Sequence, residues 1–116
     1  MLASSNFYVY KYAMKIEYDR AKRAWTLKER GIDFKAAEAV FEGPAITVED
    51  FRHDYGERRF VTVGLLNERV VIVIWTPRGT AAEPVRRIIS MRKANAREVE
   101  VFWDQLQEDG RDSGRS

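Results

Sequence analysis

The sequence predicts an α+β domain, a small antiparallel sheet with helices packed on it, in the order β-α-α-β-β-β-β-α. Three observations carry this. Four β-rich segments lie between Ala45 and Met91, separated by turn residues. Two short helical segments with capping residues precede them. One segment with a single apolar stripe follows them and closes the chain.

The elements follow in order. Lys15 to Tyr18 alternates as a short strand. Asp19 caps the next helix, which runs without a breaker from Arg20 to Arg30 and stops at Gly31. Asp33 is the next cap, with Phe34, Ala37, Val40 and Phe41 on one face of a second helix that Gly43-Pro44 ends. Ala45 to Glu49 is a strand with Ile46 and Val48 on one side, and Phe60 to Leu66 one with Val61, Val63 and Leu65 on one face. Val70 to Trp75 is apolar throughout, as in a central strand covered on both faces. Asn67-Glu68 marks a tight hairpin before it, and Pro77 to Pro84 reads as a flexible connection after it. Val85 to Met91 is the last strand. Strict alternation sets Arg87, Ile89 and Met91 on one of its faces and Arg86, Ile88, Ser90 and Arg92 on the other. Asn95 caps the final helix, Glu98 completes a capping box, and Val99, Phe102, Trp103 and Leu106 form the stripe.

The chain has 116 residues, 45% of them apolar and 33% charged, which fits one small globular domain. It has no cysteine and a single histidine, His53, so disulfides, thiolate metal sites and multi-histidine sites are excluded. No apolar run approaches the ~20 residues of a membrane-spanning helix. We therefore expect a cytoplasmic protein with no membrane contact. Residues 1–13 read as an N-terminal extension, poorly ordered or foreign to the domain. Residues 14–109 form the domain and residues 110–116 a loose tail.

The net charge is +2, but its distribution is uneven. From Arg78 to Arg97 there are six Lys or Arg and one acid, Glu83, whereas the remainder holds fourteen cations against seventeen acids. A local cationic patch on a strand-to-helix corner suits a polyanion, with RNA or DNA the first to consider.

The same stretch carries a family resemblance. Arg87-Ile88-Ile89-Ser90-Met91-Arg92-Lys93-Ala94, followed by a polar spacer and a helix with Arg97 and Glu98, resembles a run near the C-terminus of the BrnT toxins of bacterial type II toxin–antitoxin systems. Met14 to Asp19 resembles that family's opening strand, Lys22 to Gly31 and Ile32 to Phe41 its early helices, Arg58 to Gly64 its middle strand, and Thr76-Pro77-Arg78-Gly79 its following turn. The likeness covers roughly residues 14 to 103, and the order of the pieces carries it. It implies a RelE-like fold and an endoribonuclease that inhibits translation and growth. It also implies a BrnA-like antitoxin as partner, with operator DNA reached only through that antitoxin. The first helix departs from the pattern: where relatives often show Asn and then Lys-His-Gly, this chain has Thr26 and then Glu29-Arg30-Gly31.

Cleavage of RNA by its own 2′-hydroxyl requires a group to take a proton, a group to stabilise the phosphorane and help for the leaving oxygen. His53, in a polar loop beside Asp54, reads as a solvent-exposed residue. With no dense run of acids, we expect no metal and no cofactor, and a mechanism built on Arg and Lys. Arg78 and Arg92 are strand-end residues expected to project into a common cleft at one edge of the sheet. The resemblance falls on the same two, and on Ser90, which we take with them as catalytic. Arg59, Arg86, Lys93 and Arg97 are taken as RNA-binding, with the helix N-terminus at Asn95 to Glu98 adding donors for phosphate. Each has a plainer reading: a charged strand end is usually solvent contact, and Ser90 alone would be a packing residue. Trp75 and Trp103 read as core, and Trp25 as either core or a base-stacking surface. The alternative function is a non-catalytic RNA-binding module using the same basic edge.

Overall fold

The computed structural model describes residues 14–115, with side chains through residue 108. The expectation for residues 1–13 lies outside these. Strands β1 (Lys15–Tyr18), β2 (Ala45–Glu49), β3 (Phe60–Leu66), β4 (Arg69–Gly79) and β5 (Pro84–Lys93) form one sheet in the order β1-β5-β4-β3-β2. Helix α1 spans Arg20–Arg30, a 3-10 turn at Phe34–Ala36 leads into α2 (Ala37–Glu42), and α3 spans Ala96–Arg115. The mixed α+β order is the expected one. The sheet is antiparallel from β5 to β2, and β1 joins it parallel, beside β5. No hairpin fixes the direction of β1, because nearly the whole domain intervenes before β5.

Local chemistry sets the element ends. Asp19 accepts from the Lys22 N–H, and Gly31, at φ 69°, donates its N–H to the Leu27 carbonyl. Asn67 and Glu68 both have positive φ, 50° and 67°, which is the backbone of a two-residue hairpin turn. Residues 77–84 differ from the flexible connection expected. β4 continues to Gly79, β5 begins at Pro84, and a tight turn closes between them, with the Thr80 N–H on the Glu83 carbonyl and the Glu83 N–H on Thr80 Oγ1, both at 3.1 Å. Gly79 sits at φ 76°, and a Cβ there would strike the Glu83 carbonyl, so the turn demands glycine. Arg78 thereby stands directly before a tight, hydrogen-bonded turn.

The core lies on one face of the sheet. Ile32, Phe34, Ala37 and Val40 pack there against Val71, Val73, Trp75, Ile88 and Met91. Trp75 stacks on Phe60 at 4.9 Å between ring centroids and donates its Nε1–H to Thr62 Oγ1 at 2.9 Å, so its polar atom is satisfied in the interior. Helix α2 approaches so closely that a Cβ on Gly64 would meet a Val40 methyl at 2.8 Å. β4 is central, with Val70 to Val73 and Trp75 buried as expected. Trp103, expected in the core, is 43% exposed, whereas its neighbour Phe102 is buried. Helix α3 begins at its capping box as expected and runs through the segment read as a tail.

β5 breaks the alternation expected of it. Ile74 pairs with Ser90 while Trp75 pairs with Ile88, so Ile89 is a bulge with no counterpart in β4. The bulge resets the period of two. Arg86, Ile88 and Met91 face the core, and Arg87, Ser90 and Arg92 face the other side. The expected grouping of Arg86 and Ile88 with Ser90 and Arg92, and of Ile89 with Met91 on the core face, is therefore corrected.

Candidate functional site

The antiparallel pairing decides which cations can act together. Arg78 pairs with Val85 and Arg92 with Ile72. Both are strand ends, but antiparallel neighbours end at opposite edges of a sheet. Six residues of β4 separate the two rows, roughly 20 Å at strand rise. The common cleft expected for Arg78 and Arg92 does not form, and the cations divide into two groups.

The first group gathers where β3 begins and β4 ends. Arg59 and Arg78 share one carboxylate: Arg78 Nη1 lies 3.1 Å from Glu57 Oε1 and Arg59 Nε 3.7 Å from Glu57 Oε2. The Arg59 guanidinium lies 4.0 Å over the Tyr55 ring, and His53 meets the edge of that ring at 5.6 Å. The loop presenting these groups is pinned at Asp50. Its N–H donates to the Arg59 carbonyl at 2.8 Å, and its carboxylate accepts two bonds from the Arg52 guanidinium, one from the Arg52 N–H and one from the Tyr55 hydroxyl. The Arg52 bonds hold the Asp50 carboxyl well below the usual carboxylate range. Thr76 Oγ1 also donates to the Arg58 carbonyl at 2.6 Å, fixing the chain just before Arg59.

The second group lies where β5 meets α3. Arg92 forms a fork with Glu98, both bonds at 2.8 Å. Glu98 is also the capping residue of α3: it accepts from the Asn95 N–H at 2.9 Å, and Asn95 Oδ1 accepts from the Glu98 N–H at 2.8 Å. Hydrogen bonds from Arg92 lower the Glu98 carboxyl to about 2, and the Asn95 N–H helps. The same pair raises Arg92, against the nearby positive charge of Arg52. The helix start expected to receive phosphate is thus already served by the carboxylate of Glu98. Ser90 shares the face of Arg92 and is half-buried, Lys93 is exposed at the strand end, and Arg97 is exposed in the first turn of α3. Arg92 and Arg97 border a groove of about 610 Å³ between α3 and the sheet, floored by Ile46, Val61, Val63 and Ile72.

Arg86 belongs to neither group. It is 7% exposed, on the core face, with its guanidinium 3.9 Å over Phe41 and 5.1 Å over Trp75. Its place is one of cation–π packing, not of display to a polyanion. Arg30 donates to the Met91 carbonyl at 2.8 Å and lies over the exposed Trp25, tying α1 to β5. His53 is exposed, as expected.

Sequence reasoning missed Glu57. It lies in the polar loop that holds His53 and Asp54. The available signal was its spacing, a carboxylate two residues before the arginine that opens a strand. Among the described residues no three His, Cys, Asp or Glu come together as a set able to hold a metal ion. No helix among them is long and apolar enough to cross a membrane.

The chain matches a family described as "Ribonuclease toxin, BrnT, of type II toxin-antitoxin system" over residues 18–98. No curated protein matches it. The match spans all five strands but the first residues of β1, includes both cation groups and ends at Glu98, and on that extent the chain belongs to the BrnT family of ribonuclease toxins.

Proposed function

We propose that this protein is a metal-independent endoribonuclease that cleaves cellular RNA in the cytoplasm, inhibits translation and growth, and is neutralised by a cognate BrnA-like antitoxin. Operator DNA is reached only through that antitoxin. The observation that carries the reading is the pair of arginines, Arg59 and Arg78, at one end of a rigid hairpin in a chain of a ribonuclease family. A guanidinium offers a planar fork of donors to phosphoryl oxygens, and its charge is fixed at any working pH. Two of them flanking one spot suit the charge that develops on a phosphorane. The turn that Gly79 requires keeps Arg78 in place without reorganisation.

In this reading Arg78 acts in the chemistry and Arg59 binds the scissile phosphate. Arg92, with Ser90, Lys93 and Arg97, lies too far away to touch the same phosphate, and holds the RNA further along the strand. A catalytic role for Arg92 and Ser90, suggested by the resemblance, would require a second reactive position. The antitoxin inhibits by covering the Arg78 end with an acidic segment, since opposed charges favour that encounter.

The test is cleavage of a short RNA by purified protein, with binding followed separately. Cleavage by the native chain and loss of it in Arg78→Ala, with RNA still bound, supports the enzyme. Binding without cleavage by the native chain, at any site, supports instead the non-catalytic RNA-binding module.

A further inference from the structure

We propose that Glu57 is a catalytic residue, the base that takes the proton of the attacking 2′-hydroxyl. This rests on the ribonuclease reading above and adds the proton acceptor that it lacks.

The argument begins with how the arginines hold their acids. Among the described residues four Arg–carboxylate pairs are two-pronged forks, with every bond between 2.7 and 3.0 Å: Arg23–Asp33, Arg52–Asp50, Arg58–Glu49 and Arg92–Glu98. Such forks are complete, and they fix both partners. Glu57 is held differently. It has one contact from each of two arginines, at 3.1 and 3.7 Å, and the second exceeds hydrogen-bond length. Arg59 Nε is buried and makes no hydrogen bond. A buried donor left unmet is costly, and an oxygen brought within reach would relieve it. Arg78 is 44% exposed and turns one of its nitrogens to Glu57, which leaves donors facing solvent.

The arrangement is therefore two incompletely used guanidiniums with one carboxylate between them. A phosphodiester supplies what the arginines lack, two anionic oxygens. When it binds, Arg59 and Arg78 turn to those oxygens, and Glu57 is left beside the phosphate with its own oxygens released. A ribose attached to that phosphate presents its 2′-hydroxyl within the same few ångströms. Glu57 takes the 2′-proton as the 2′-oxygen forms a bond to phosphorus. The bond from phosphorus to the 5′-oxygen breaks, its electron pair leaves with that oxygen, and water protonates it. Glu57 then returns its proton to solvent. The products are a 2′,3′-cyclic phosphate and a 5′-hydroxyl, and no metal or redox partner enters the balance. The Tyr55 ring beneath Arg59 gives that guanidinium a face to rest on while its partner changes.

The experiment uses the full chain and a short RNA, under single-turnover conditions. Glu57→Gln keeps hydrogen-bonding capacity toward both arginines but cannot accept the proton. Its cleavage should fall by about 100-fold or more, the range of a general base, with RNA affinity equal to or tighter than native and an unchanged melting temperature. Glu57→Ala should regain activity with added carboxylates, acetate more than formate, because acetate is the stronger base. A merely structural gap would not rank them by basicity. Native-level cleavage by Glu57→Gln, or rescue that ignores basicity, overturns the proposal while leaving the ribonuclease reading intact. Failure of the native chain to cleave any RNA overturns both.

Discussion

Substitution of Glu98 separates two roles that one carboxylate performs at the start of α3. Glu98→Gln retains an oxygen that can accept from the Asn95 N–H but loses the ion pair with Arg92. Glu98→Ala loses both. Taken at face value, lowering the carboxyl from 4.5 to about 2 corresponds to ~3 kcal/mol. Arg92 is 41% exposed, however, and solvent screening reduces such a pair to ~1 kcal/mol. The capping contact contributes a further ~1 kcal/mol. At about 4 °C per kcal/mol for a domain of this size, Glu98→Gln should lower the melting temperature by about 4 °C and Glu98→Ala by about 8 °C at pH 7. The sign with pH follows from a folded value below the unfolded one. The ion pair stabilises fully above the unfolded value, 4.5, and its contribution is lost as pH falls through about 2. The native protein and Glu98→Gln should therefore converge in melting temperature as pH is lowered toward 2, as read by circular dichroism. Equal melting of native and Glu98→Gln at pH 7, or a gap that persists in acid, would refute the assignment of Glu98 and Arg92 as the clasp of α3.

Arg78→Ala should reduce single-turnover cleavage by about 100-fold or more while shifting the melting temperature by no more than ~2 °C, because its ion pair with Glu57 is half-exposed. Arg92→Ala should melt about 4 °C below native, as Glu98→Gln does, and keep cleavage within about tenfold; a folded but inactive Arg92→Ala would move the chemistry to the other end of the sheet. Cleavage should survive EDTA, and complete loss restored by Mg²⁺ would show that the acids bind metal. Gly79→Val should lose stability and activity together, since a side chain at φ 76° against the Glu83 carbonyl distorts the turn that holds Arg78; unchanged melting would mean that the hairpin is not rigid.

Much of the fold was legible because its signals are local. Asp19 and Gly31 cap α1 through contacts within four residues, Asn67-Glu68 turns on its own backbone angles, and the short, β-branched apolar run Val70 to Val73 reads as a covered strand. The bulge at Ile89 was not legible, since nothing in Arg-Ile-Ile-Ser says which isoleucine is left unpaired. That choice is made by β4, where Trp75 must face Phe41 and Phe60 and so brings Ile88, not Ile89, to the core beside it. The consequence reaches the site. With the period reset, Arg86 goes under Phe41 and Ser90 and Arg92 turn to the opposite face.

The separation of Arg78 from Arg92 has a similar cause. Charge density along the chain joins them, because only a hairpin lies between, but a hairpin sends the two ends of its strands in opposite directions. A cluster of cations in sequence is then two clusters in space. What gathers around Arg78 instead comes from the loop before β3, at residues 53–59, which reads as featureless when its acid, its aromatic and its arginine are taken one at a time. Their arrangement depends on the tether at Asp50, whose bonds to Arg52, Tyr55 and the Arg59 backbone bring the loop against the end of β4. An arginine that can stabilise a phosphorane needs donors left over after its structural contacts are made. By that criterion the proposal favours Arg78 and Arg59, whose contacts to Glu57 are single-pronged, over Arg92, whose orientation is fixed by the two-pronged fork that starts α3.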